Sequence, residues 1–245
     1  SGQNVDVSTG HRYQGDTQQP VSDGMRTQAG ASLYNSAQDA IRQQANASLF
    51  AQAKQNQGKI GYKMGNKSLS SGLIDCSGWV ATTNRSMMQQ VNAAAGTEVF
   101  SKKDMAAVND SSEGIITNVG KKTGQILNKE QLTKTGLKEG MMIGMDTGQY
   151  DHDRGRAMGI DHIVQTVRDP KTGKLMISQS SSSGKGVSLT PADAWLAQQN
   201  KSKTKLFGVD PFAMVDKTDP AVQEKVAKNL PQATKGATAA KPETA

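Results

Sequence analysis

A change of hydrophobic period between the two halves of the chain limits its fold more than any other feature. Between Ser36 and Gly58, the residues Ala37, Ile41, Ala45, Leu49 and Ala53 recur every fourth position. That spacing puts them on one face of an α-helix, which Ser36 is placed to cap and Gly58 to end. Far downstream, Ile160 to Val167 alternates and is rich in β-branched residues, the signature of a strand. Pro170-Lys171-Thr172-Gly173 has turn chemistry, and Leu175 to Ser180 returns as the second arm of a hairpin. Met141 to Met145 reads as another short strand, and Leu206–Val209 with Phe212–Val215 as one more. A second helix is expected from near Cys76, with Val80, Met87 and Val91 on one face. Helices first and an antiparallel sheet second make an α+β plan.

Only 35% of the 245 residues are apolar and 4% aromatic, too few for a chain packed throughout. A core of about 150–180 residues with solvated ends fits that content. Residues 1–30 are rich in Gln, Ser, Gly, Asp and Thr and are expected to be extended or disordered. One domain is expected over 31–215, with short helices or a loop-rich polar insertion at about 97–135, followed by a disordered tail over 216–245. No run of roughly 18 apolar residues is present, so no membrane span is expected. The start at Ser1 lacks the basic-then-apolar pattern of a signal peptide, so either export is expected to use another route or such a segment has been removed. The formal charge of +7 suits any anionic partner. The lysines are scattered, with no arginine stripe among aromatics, which points to a solvated surface and no nucleic-acid partner.

Cys76 is the single cysteine, which excludes an intramolecular disulfide and a multi-cysteine zinc site. A lone cysteine is most often a small buried hydrophobe, but the string Asp75-Cys76-Ser77-Gly78-Trp79-Val80 lies where a Gly/Ser-rich loop becomes a helix. There the helix dipole and unpaired N–H groups favour thiolate, and the same N–H groups can hold an oxyanion. A nucleophile needs a base. Of the three histidines, His11 lies in the polar N-terminal segment, whereas His162 opens a predicted strand, a rigid mount for a base. Gln179 on the following strand can accept from the far imidazole N–H and set the tautomer. Trp79 is expected to pack in the core. His152-Asp153-Arg154-Gly155-Arg156-Ala157 is similar to a zinc D,D-peptidase pattern, but Gly159 stands at its aspartate position and no Glu-x-x-His follows. No metal or other cofactor is expected.

The cysteine string resembles the nucleophile signature of the NlpC/P60 family, a papain-like fold that cleaves peptidoglycan stem peptides. Gly61-Tyr62-Lys63-Met64-Gly65, Leu137-Lys138-Glu139-Gly140-Met141-Met142, Ile160 to Val164 and Gln179 to Gly184 resemble further family segments in the same order. Gly61, Asn66 and Met141 depart from the residues usual there, and the Cys76–His162 spacer is long. The resemblance implies a Cys76–His162–Gln179 site, with Tyr62, Asp75 and Ser77 lining the substrate pocket. It also implies hydrolysis of stem-peptide amides such as the γ-D-glutamyl–diaminopimelate bond. Delivery to the periplasm or cell wall by a type VI secretion apparatus, as an antibacterial toxin with an immunity protein, or carriage in a phage tail, fits that activity. Two other readings stay open: a papain-like deamidase or transglutaminase of protein glutamines, and a non-catalytic basic module that binds wall or nucleic acid.

Overall fold

Ala37, Ala40, Ile41, Ala45, Leu49 and Ala53 are all buried, so the four-residue period is the inward stripe of helix α1, Asp23–Asn56. Small side chains on that stripe let α2, Cys76–Ala95, pack closely, and its Val80, Met87, Met88, Val91 and Ala95 complete the contact. The computed structural model describes residues 23–149, 156–215 and 219–232. Among them are seven α-helices and one six-stranded sheet, ordered β1-β6-β2-β3-β4-β5, with every neighbouring pair antiparallel. The strands are β1 (Leu127–Asn128), β2 (Met142–Asp146), β3 (His162–Arg168), β4 (Leu175–Ser181), β5 (Gly186–Pro191) and β6 (Lys205–Val209). The α+β plan is what the structure shows.

Both faces of the sheet are covered. Met142, Ile163 and Val167 face the main core with α1 and α2, while Ile143, Met145 and Val164 join Leu132 and Trp195 in a second one. Leu132 comes from α5 (Lys129–Thr135) and Trp195 from α6 (Ala192–Asn200). This double cover explains why all five residues of β2 are buried, although one covered face alone would leave alternate residues exposed. Trp79 lies in a third cluster with Ala53, Ile74 and Val187, and its indole N–H donates to Ser178 Oγ at 2.9 Å. That position ties the first turn of α2 to β4.

Several expectations from sequence are corrected. Helix α1 begins at Asp23, inside the stretch read as extended or disordered; residues 1–22, His11 among them, lie outside the described residues. The tail read as disordered contains α7, Pro220–Asn229, whose Val226 enters the main core and whose Asn229 Nδ2 donates to Ala95 O at 2.7 Å. Residues 216–218 and 233–245 lie outside the described residues, as do 150–155 with His152. Pro211–Met214 is a 3₁₀ turn where a strand was expected, because Pro211 starts it and Asp210 caps it. The segment 97–135, expected as short helices or a loop-rich insertion, is mainly short helices. It forms α3 (Lys102–Ala107), α4 (Ser112–Thr123), β1 and α5, and places Ile115, Ile116 and Val119 in the main core.

Gly186 shows how β5 holds the loop before the nucleophile. Its φ is +120°, and a Cβ there would lie 2.0 Å from Ile60 O. The adjacent Val187 N donates to that same oxygen at 2.9 Å. Gly186→Ala is therefore expected to cost about 2–4 kcal/mol, read as a lower urea midpoint with an unchanged slope. A wild-type midpoint would show that this contact does not hold the loop.

Candidate active site

The start of α2 is assembled by its own capping chemistry. Asp75 is the N-cap, and its Oδ1 accepts from Gly78 N at 2.8 Å, leaving Cys76 as the first helical residue. The loop before it is pinned alongside by Gly61 N donating to Gly72 O at 2.8 Å and Ile74 N to Gly61 O at 2.9 Å. Gly65, with φ +88°, folds the loop back so that its N–H reaches Asp75 Oδ2 at 3.0 Å. Lys67 Nζ closes the arrangement, donating to Asp75 Oδ2 at 2.6 Å and Ser77 Oγ at 2.7 Å. Asp75 and Ser77, expected on the substrate pocket, are thus buried and bound up in the scaffold of the helix start. Asp75 spends both oxygens there, and Ser77 still lines a cavity of about 280 Å³ with Lys67, Gly78, Ala81, Arg85, Asn109 and Asp110. Tyr62 is half-buried on the pinned loop.

Cys76 and His162, far apart in sequence, come together where α2 abuts the start of β3, near enough for each to shift the other's pKa. The β3–β4 ladder runs to Gln165↔Ser178, and the next residue on β4 is Gln179. Its Oε1 lies 2.7 Å from His162 Nε2. An amide oxygen can only accept, so Nε2 carries a proton and Nδ1 is left to face the sulfur. Burial pushes the Cys76 thiol up, but the hydrogen bond and charge of His162 outweigh it and hold the pKa below the ordinary thiol value. Ser112 and the backbone of Ile163 act in the same direction. Burial likewise opposes the imidazolium, yet Cys76, Gln179 and the Asp161 charge raise the His162 pKa above its ordinary value. One pKa lowered and one raised are the directions that favour thiolate and imidazolium in this pair.

Loss of the Gln179 contact is expected to lower the His162 pKa towards its ordinary value. Gln179→Ala should then cost about 10- to 100-fold in turnover, the worth of one hydrogen bond to a charged ring. A ring-proton titration of His162 that stays where wild type has it would count against that role.

Four contributors have no sequence signature. Lys67 reaches across the helix start, and Ser112 Oγ at the head of α4 lies 3.4 Å from Cys76 Sγ. Glu113 Oε1 accepts from Met158 N at 3.0 Å and Ile160 N at 3.2 Å, steadying the approach to His162. Asp161 Oδ2 is held by Thr147 N at 2.9 Å and Thr147 Oγ at 2.7 Å. Each belongs to a contact that exists only after the chain has packed. Among the described residues, no group of three or more His, Cys, Asp or Glu is arranged to hold a metal ion, and no helix is long and apolar enough to cross a membrane.

No family model matches the chain, and no curated protein matches it. A solved structure from Legionella pneumophila, of family DUF1460, aligns with 80% of this chain and 100% of its own, at 11% identity and a TM-score of 0.42. DUF1460 is a different family from NlpC/P60, and since no family model matches the chain, the family assignment drawn from the motifs is corrected. The motifs are short, and what they encode is a cysteine at a helix start and a histidine opening a strand. Chemistry of that kind can be matched without membership of the family, and Gly61, Asn66 and Met141 already depart from its pattern.

Proposed function

We propose that this chain is a cysteine hydrolase of papain-like plan that cleaves amide bonds by acyl transfer. The observation that carries this reading is the convergence of three groups: a thiol at a helix N-terminus, an imidazole near enough to lower its pKa, and an amide oxygen 2.7 Å from the far ring nitrogen. In the first step Cys76 Sγ attacks the carbonyl carbon, and the carbonyl π electrons move onto oxygen, towards the N–H groups at the start of α2. His162 then gives its Nδ1 proton to the leaving amine as the C–N bond breaks, with Gln179 holding the ring in place. A water, deprotonated by the now neutral His162, adds to the thioester and releases the acid. Gln179 acts through His162 and is a positioning residue; Cys76 and His162 are the catalytic pair.

The proposed substrates are amides in the peptide stems of peptidoglycan, including the γ-D-glutamyl–diaminopimelate link. Two features support this choice: the +7 formal charge, suited to an anionic wall, and the cavity beside Ser77, where Lys67 and Arg85 can face substrate carboxylates. Purified sacculi incubated with the protein should release new stem-peptide fragments, identified by mass spectrometry. Intact sacculi, with ammonia released from glutamine-bearing proteins, would instead assign the same chemistry to deamidation.

A further inference from the structure

The head of α4 reaches the nucleophile. Ser112 is the first residue of this 12-residue helix, only 5% exposed, with its hydroxyl 3.4 Å from Cys76 Sγ. The helix does not need that hydroxyl. Ser111 is the N-cap and already accepts from Gly114 N at 3.1 Å. A buried hydroxyl without a partner costs free energy, and among the described residues the sulfur is the partner Ser112 Oγ has. The neighbouring Glu113 ties the same turn to Met158 and Ile160, the run leading into His162. The first turn of α4 therefore touches the nucleophile and braces the approach to its base.

We propose that Ser112 is a further catalytic residue, a fixed hydroxyl donor that holds the Cys76 thiolate in position for attack. The proposal rests on reading Cys76 as the nucleophile. A thiolate carries no proton, so the serine O–H donates to sulfur and the serine keeps its proton throughout. As the S–C bond forms and charge leaves the sulfur, this hydrogen bond weakens without any proton transfer. Ser112 thus stabilises the thiolate before attack, adding to what His162 and the dipole of α2 supply. The segment that reads as an insertion is, on this account, part of the catalytic apparatus.

The test compares Ser112→Thr with Ser112→Val, which match in shape and differ in the hydroxyl. The rate of Cys76 alkylation by iodoacetamide is followed across pH in the full chain, where Cys76 is the single thiol. The threonine variant should keep the wild-type profile. The valine variant should react about tenfold more slowly at neutral pH, with its midpoint moved up in pH. Two folded variants with the wild-type profile would overturn the role of Ser112 while leaving the nucleophile intact. A wild-type chain that reacts only in the ordinary thiol range would overturn both, so the two failures are distinguishable. Should the valine variant not fold, Ser112→Ala provides the same comparison with a smaller side chain.

Discussion

Cys76→Ala is expected to reduce amide cleavage by about four to six orders of magnitude and to leave the fold in place. The sulfur supplies the electron pair that forms the acyl-enzyme, and no second thiol exists to replace it. Alanine is a good first helical residue, and only one small buried atom is lost, so the stability cost should stay near 1 kcal/mol. Cys76→Ser is the sharper variant. It keeps the shape and a hydroxyl, but that hydroxyl remains protonated where a thiol beside imidazolium does not. Both should release no stem fragments from sacculi above the background while unfolding at nearly the wild-type temperature. Cleavage retained by either variant would remove Cys76 from the chemistry.

His162→Ala has the second-largest expected effect, a loss of about 10³- to 10⁴-fold, because two functions disappear together. The leaving amine loses its proton donor, and the thiolate loses the partner that outweighs its burial. The sign of the pH effect follows from the shifts. Thiolate is present above the lowered Cys76 pKa, and imidazolium below the raised His162 pKa. Wild-type activity should therefore rise with pH through the first and fall through the second. In His162→Ala the rising limb should move up towards or beyond the ordinary thiol range, where burial of Cys76 alone would place it. An unmoved rising limb would mean that His162 does not stabilise the thiolate.

What the sequence made legible follows from how local each signal is. Cys76 could be placed at a helix start because Asp75, Ser77 and Gly78 carry capping and turn chemistry beside it. Gln179 could be set next to His162 because alternation and the Pro170–Gly173 turn determine the hairpin. Lys67 and Ser112 could not be found in this way: they act on α2 from 10 and 36 residues away, through packing. Helix α7 buries Val226 and little else, so its composition resembles that of a solvated tail. In β5, Val187 and Leu189 do alternate, and the signal was there to read. The family resemblance misled for the opposite reason: five short segments record local chemistry and say little about descent.

The central claim is that Cys76 and His162 rest as thiolate and imidazolium, and the ultraviolet absorbance of the thiolate tests it most directly. With one cysteine in the chain, the difference between wild type and Cys76→Ser reports on that sulfur alone. The account predicts thiolate absorbance at neutral pH, lost only on acidification below the ordinary thiol range, and a higher midpoint in His162→Ala. Absorbance that appears only near the ordinary thiol pKa of about 8.5, with or without His162, would contradict it.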